Sequence, residues 1–227
     1  MSEHKQTMLF SHDPADEAYD TLIDALVDQN YFIWPHAVED DLCQALLNEA
    51  YAYQASGELQ RAGVGRGHEH QLNQKIRGDK IKWLDGETPA QQRYLAQMAE
   101  LQQVLNRALF LGLFEYECHF ALYQPGDFYK KHYDSFKAQA NRVVTTVLYL
   151  NPNWRTENGG ELVIYTGKAE ETIKVSPAMG TLVVFMSEEI LHEVLPAKEE
   201  RFSIAGWFRL NTMQGTQVDP PSNLLTY

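Results

Sequence analysis

Residues 142–153, RVVTTVLYLNPN, decide the fold. Val143, Thr145, Val147 and Tyr149 fall on one side of an extended chain. The β-branched residues mark a strand, and Asn151-Pro152-Asn153 marks the turn that ends it. The same texture recurs at 115–123, 160–166, 171–175, 180–186, 192–195 and 202–210. These segments are short and rich in Val, Leu, Tyr and Phe. Turn signals such as QPGD, ENGG and SPAMG separate them. Seven or eight short strands with no helix between them predict an all-β sandwich or barrel.

Upstream the period changes to that of helices. Tyr19, Leu22, Ile23, Leu26 and Val27 share one helical face over 16–28, and 39–54 repeats the pattern with Leu42, Ala45, Leu46, Ala50 and Tyr53. YFIWP between them reads as a short strand stopped by Pro35. KIRGDKIKWL reads as strand-like with a turn. Thr88-Pro89 then opens a helix to about Leu111, with a capping hydroxyl and Pro at the first position. Leu95, Met98, Leu101, Leu105 and Leu109 form its buried face, and Gly112 is expected to stop it.

The expected organisation is a single domain, 1–227, mainly β with N-terminal helices. It comprises an acidic helical part (1–60), a flexible basic loop with a support helix (61–111), a jelly-roll-like β core (112–210) and a polar tail (211–227).

The net charge of −12 is unevenly distributed. Residues 1–60 carry 12 acidic side chains and 1 basic one, a net of −11. No basic face offers itself to nucleic acid. Residues 61–82 hold six basic and two acidic residues, with Gly63, Gly65 and Gly67 at alternate positions. That composition suits a hairpin tip or a flap closing on a partner. No apolar run approaches the roughly 20 residues that span a bilayer. The first residues lack the pattern of a signal peptide. Cys43 and Cys118 read as buried free thiols, so a cytoplasmic location is expected.

FYKKHYDSFK (128–137) contains His132-x-Asp134. Composition alone supplies about 0.4 such pairs in a chain like this one, so the pair needs company. At a strand end, residues i and i+2 project together and offer two ligands to one metal. His192, at the start of a strand after GTLVVFM, is a candidate third; His36, His68, His70 and His119 are more remote.

RFSIAGWFRL (201–210) shifts the balance. Arg201, Ser203, Ala205 and Trp207 share one face, and Phe202, Ile204 and Phe208 the other. A buried Arg is costly unless it meets an anion, and its small neighbours leave room for a carboxylate. Tyr149 could reach the same carboxylate. Alternatively Arg201 faces solvent. Two His and one carboxylate leave three positions open on an octahedral metal, as in non-haem Fe(II) oxygenases that take an α-keto acid and dioxygen. A zinc hydrolase also uses three protein ligands, but it has no need of a buried Arg nine residues after the last His.

This order of residues resembles the 2-oxoglutarate- and Fe(II)-dependent dioxygenases with a double-stranded β-helix core. Residues 71–210 resemble prolyl 4-hydroxylases of the hypoxia-sensing type and their bacterial relatives. KIRGDKIKWL, LYQPGDFYKKHYD, RVVTTVLYLNPNW with GGELVIY, and HEVLPAKEERFSIAGWF carry the resemblance. It implies that His132, Asp134 and His192 bind iron and that Arg201, helped by Tyr149, binds the far carboxylate of 2-oxoglutarate. Tyr123, Thr145 and Val147 would line the cosubstrate pocket. Tyr129, Arg142 and Trp207 would line the mouth that receives a prolyl residue, supported by Asp79 and Trp83. Fe(II), 2-oxoglutarate and O2, with ascorbate as accessory reductant, are the implied cofactors.

The sequence departs from that family at His119, where an apolar residue is usual, and in DSFKAQAN. The expected partner is a monomeric enzyme's protein substrate with an exposed proline, such as a loop of a translation GTPase, gripped by 61–76 and 135–141. A small-molecule or free amino-acid hydroxylase is the alternative within the same chemistry. A non-catalytic binding or sensing module is the alternative outside it.

Overall fold

A computed structural model describes residues 14–62, 76–135, 141–167, 171–211 and the backbone of 213–214 and 217–218. Most of the basic glycine loop, most of 135–141 and most of the C-terminal tail lie outside the described residues. His68 and His70 lie there too.

Helices α1 (Pro14–Gln29) and α2 (Asp40–Ser56) flank strand β1 (Tyr31–Trp34). The short strands β2 (Gln60–Arg61) and β3 (Lys80–Trp83) precede helix α3 (Pro89–Leu109). Thr88 caps α3 as expected, its hydroxyl accepting from the Gln91 N–H at 3.1 Å. The helix ends before Gly112, however. Phe110 adopts the left-handed conformation (φ 53°), and its N–H closes on the Asn106 carbonyl. The Asn106 amide then holds Leu113 by its N–H (2.7 Å) and its carbonyl (2.9 Å). A side-chain clamp therefore ends α3, and Gly112 only redirects the chain. Gln91 and Tyr94 join Met98, Leu101 and Leu105 on the buried face, while Leu95 and Leu109 pack at its edge.

The β region follows: β4 (Leu113–Tyr123), β5 (Tyr129–His132), β6 (Arg142–Tyr149), β7 (Leu162–Tyr165), β8 (Thr172–Val175), β9 (Leu182–Met186), β10 (Leu191–Val194) and β11 (Arg201–Leu210). A small pair, β12 (Met213–Gln214) and β13 (Gln217–Val218), comes last. One sheet runs β1-β9-β6-β11-β4-β3-β2, and the other runs β5-β10-β7-β8. All of these pairings are antiparallel. This is the expected double-stranded β-helix, with helices on one side of the larger sheet.

The two-residue period of the strands sorts the core into two layers. Phe120 and Leu122 of β4, Val144 and Leu148 of β6, and Phe202, Ile204 and Phe208 of β11 pack with the helices. Their alternates Ala121, Tyr123, Tyr149, Val183 and Phe185 face inward with Leu162, Ile164 and Val194 of the smaller sheet. Cys43 and Cys118 are free and buried, as expected. Among the described residues, no helix is long and apolar enough to cross a membrane.

Tyr116 reaches over β11 to tie this outer layer together. Its hydroxyl bonds to Tyr94 of α3 at 2.9 Å and to Thr146 of β6 at 2.7 Å. It passes directly above Gly206, where a Cβ would overlap the phenol. Only glycine admits this crossing. Gly206→Ala is therefore expected to destabilise the fold by about 1–3 kcal/mol through overpacking, measured by urea unfolding.

His119 of β4 is a buried imidazole between Trp83 (ring centroids 5.1 Å apart) and Trp207 (5.4 Å). Burial, reinforced by the Arg77 charge, lowers its pKa from 6.5 to about 4. The unfolded chain protonates this group near pH 6.5, and the folded chain does so only near pH 4. Between these values the unfolded state binds more protons, so stability falls as pH falls through that window. In His119→Gln the loss of stability between pH 7 and pH 4.5 should be smaller than in wild type by about 2 kcal/mol. Urea unfolding of both proteins at the two pH values measures the difference.

Candidate active site

The inner space between the sheets gathers residues that lie far apart in the chain. His132, the last residue of β5, stands directly opposite His192 of β10 in the ladder. Asp134 lies two residues beyond β5, in a bend rather than on the strand. The strand alternation expected for His-x-Asp therefore does not aim the carboxylate. From the opposite sheet, Thr145 Oγ1 of β6 donates to Asp134 Oδ2 at 2.8 Å.

The donor atoms of His132, Asp134 and His192 lie within 4.8 Å of one another. His132 Nε2 is 3.4 Å and His192 Nε2 is 3.8 Å from Asp134 Oδ1. The other ring nitrogens are already engaged. His132 Nδ1 lies 2.7 Å from the Lys130 carbonyl, and His192 Nδ1 lies 3.0 Å from the Ile190 carbonyl. A carbonyl only accepts, so each Nδ1 carries a proton, and in the neutral ring each Nε2 keeps a lone pair. Two lone pairs then face a carboxylate oxygen, an arrangement of three acceptors that a cation satisfies. Burial, opposed by Asp134, lowers His192 to about pKa 4, which keeps it neutral at pH 7. Burial alone would raise Asp134. Positive charge at the facing histidines, present when they are protonated, and the Thr145 hydrogen bond outweigh burial and lower it below the usual carboxylate range. The residues fit a divalent metal with nitrogen and oxygen ligands.

A column of contacts steadies His132. Tyr129 stacks on its ring (centroids 3.6 Å apart, 16° between planes), and the Arg77 guanidinium lies 4.8 Å above Tyr129. Asp79 grips Arg77 with both oxygens, at 2.5 and 2.7 Å. The backbone of 76–78 pairs with the start of β5 through the Lys130 N–H to the Ile76 carbonyl (2.9 Å) and the Gly78 N–H to the Phe128 carbonyl (3.0 Å). Asp79 is thus a buried ion-pair partner behind Tyr129. Trp83 is 45% exposed at the mouth.

Deeper in, Arg201 is 1% exposed and faces inward, not to solvent. Its Nε donates to the Gly160 carbonyl at 2.8 Å, and a terminal nitrogen lies 3.4 Å from Ser203 Oγ. Both partners are neutral, and no carboxylate among the described residues pairs with it. Tyr123 and Tyr149 each place a ring centroid 5.0 Å from the guanidinium. The Tyr149 hydroxyl is buried with no hydrogen-bond partner among the described residues. Burial raises it to about 12 against the opposing Arg201 charge, so it stays a donor at neutral pH. A buried cation beside an unsatisfied donor calls for an anionic acceptor; leaving them unmatched costs several kcal/mol. A dicarboxylate whose far end reaches Arg201 fits this demand. Val147, on the same face of β6, lines the inner layer.

At the mouth, Arg142 stacks on the Trp207 ring at 3.6 Å and pairs with Glu117 at 2.6 Å. Arg209 bridges Glu115 (2.6 Å) and Glu117 (3.1 Å) behind them.

Arg77 and Gly160 escaped the sequence reading. Arg77 precedes Asp79 by two residues, a spacing that placed both on one face of the strand-like segment. Gly160 is the second of a glycine pair, both with positive φ, and a Cβ there would meet the Arg201 and Ala197 side chains.

Comparison with known proteins agrees with this geometry. Residues 118–209 match the 2OG-Fe(II) oxygenase superfamily. A Pseudomonas putida prolyl-4-hydroxylase crystal structure is 42% identical, with a TM-score of 0.79, covering 84% of this chain and 98% of that one. A Trichoplax adhaerens prolyl hydroxylase, solved with a hypoxia-inducible factor peptide fragment, shares the fold at 24% identity. Its TM-score is 0.77, covering 88% of this chain and 94% of that one. Human Egl nine homolog 1 is 29% identical over 141 residues, 59% of this chain. The match spans only 33% of that relative's length. With its donor triad and buried arginine on a double-stranded β-helix, the chain belongs to the 2-oxoglutarate- and Fe(II)-dependent oxygenase superfamily and is prolyl-hydroxylase-like within it.

Proposed function

We propose that this chain hydroxylates a prolyl residue in an exposed loop of a cytosolic protein, with 2-oxoglutarate converted to succinate and CO2. The observation that carries the proposal is the pairing of two unmet demands in one space. Three acceptors converge at His132, Asp134 and His192, and an uncompensated Arg201 lies with the unpartnered Tyr149 hydroxyl. Fe(II), bound by the three, supplies the C–H oxidation with 2-oxoglutarate and dioxygen.

The chain's own residues bind, orient and exclude water. Arg201 and Tyr149 hold the far carboxylate of 2-oxoglutarate with charge-assisted hydrogen bonds. Tyr123 closes the same pocket. Tyr129, Trp207, Trp83 and the stacked Arg142 form an aromatic rim that suits the apolar ring of proline and keeps water from the metal. Glu117 neutralises Arg142, so the rim presents a flat guanidinium more than a free charge.

The resemblance to prolyl hydroxylases, one of them solved with a bound peptide, supports a protein substrate over a free amino acid. A loop of a translation GTPase is the proposed target, and a cytoplasmic monomer with ascorbate as accessory reductant is the proposed working form.

Two measurements test this. Extract proteins incubated with the enzyme, Fe(II) and 2-oxoglutarate are expected to gain one oxygen on a proline by mass spectrometry, with wild type and not with His132→Ala. An oxidised small metabolite in place of a modified protein would reject the protein-substrate assignment. In Arg201→Gln the 2-oxoglutarate dissociation constant should rise about 100-fold, the value of two charged hydrogen bonds. Mn(II) binding by calorimetry should be retained in that variant. An unchanged 2-oxoglutarate affinity would remove Arg201 from the cosubstrate site.

A further inference from the structure

Two buried hydroxyls stand behind Asp134. Thr145 Oγ1 donates to Asp134 Oδ2 at 2.8 Å, and Ser187 Oγ lies 2.8 Å from Thr145 Oγ1. Thr145 is 1% exposed and Ser187 is 0% exposed, so bulk water does not compete for either. A hydroxyl has one proton to give, and an ionised carboxylate only accepts. The Thr145 proton therefore goes to Asp134, and Thr145 Oγ1 must accept from Ser187. The hydrogen bonds run one way, from Ser187 to Thr145 to Asp134.

The backbone fixes the donors and not the acceptor. Thr145 sits inside β6, paired with Trp207 on one side and Phe185 on the other. The Ser187 N–H bonds to the Val143 carbonyl at 2.9 Å. Asp134 lies past the end of β5, with no strand partner in either sheet.

We propose that the Ser187–Thr145 pair is the positioning device for Asp134. It engages Oδ2 and so turns Oδ1 toward the two histidine Nε2 atoms. This inference rests on the metal-site assignment of the proposed function. With one carboxylate oxygen engaged elsewhere, the protein presents three donor atoms and not four. That count leaves three positions of an octahedral site for a bidentate keto acid and dioxygen. Thr145 thus acts through Asp134 and not as a wall of the cosubstrate pocket alone.

The test is Mn(II) affinity by calorimetry on the metal-free protein, with the thermal unfolding of each metal-free variant recorded alongside. Thr145→Val keeps the shape and removes the hydroxyl; its Mn(II) dissociation constant should rise 10- to 100-fold, as is typical when a partner behind a metal ligand is lost. Thr145→Ser should restore affinity to within about threefold of wild type, because it keeps the donor. Ser187→Ala should weaken binding by a smaller factor. The double variant Thr145→Val/Ser187→Ala should bind no more weakly than Thr145→Val alone, since both act through one chain. If Thr145→Val fails to fold, Ser187→Ala carries the test, and unchanged affinity in it overturns the proposal. Thr145→Val binding Mn(II) within twofold of wild type overturns the relay and leaves the metal site standing. Thr145→Ser as weak as Thr145→Val also overturns it, by showing that the methyl group and not the hydroxyl matters. Wild-type protein without measurable Mn(II) binding removes the site and the relay together.

Discussion

The arrangement on which the rest depends is one of mutual repulsion. His132 and His192 each commit a ring proton to a backbone carbonyl and turn a lone pair toward Asp134 Oδ1, which is itself an acceptor. Nothing among the described residues satisfies the three atoms, so the fold must hold them together against their own preference. It does so from two sides. The ladder of the smaller sheet sets the histidines face to face, and the larger sheet reaches across with Thr145. The inner core that fixes the spacing of the sheets, from Tyr123 and Phe185 to Ile164 and Val194, therefore also sets the metal geometry. The outer core with the helices is a backing that keeps the larger sheet in place.

Much of this was legible in the chain because it follows from a period. Alternation along β11 placed Arg201 and Trp207 inward and Phe202, Ile204 and Phe208 outward, and the structure keeps that division. The position of Asp134 was not legible for the same reason. The i, i+2 rule holds only inside a ladder, and the ladder stops at His132. What aims the carboxylate is a threonine eleven residues on, in another sheet. Arg77 and Ser187 act likewise through contacts between elements, which no local pattern encodes. The end of α3 was misplaced because a glycine signals a stop more loudly than an asparagine. Yet Asn106, by clamping both polar groups of Leu113, supplies the hydrogen bonds that let Phe110 take a left-handed conformation.

Two inward arginines on neighbouring strands show how burial and partnership divide the labour. Arg142 meets Glu117 at 2.6 Å and lies on Trp207, so its charge is answered within the protein. Arg201 is more deeply buried and meets only a carbonyl and a hydroxyl. A compensated guanidinium serves as a rigid flat surface, since its hydrogen bonds and stacking fix its plane. An uncompensated one carries an unfavourable free energy of several kcal/mol that an incoming carboxylate relieves. The same residue type therefore shapes the mouth in one place and draws an anion in the other. The difference lies in Glu117, one acidic side chain on β4, present beside Arg142 and without counterpart beside Arg201 among the described residues.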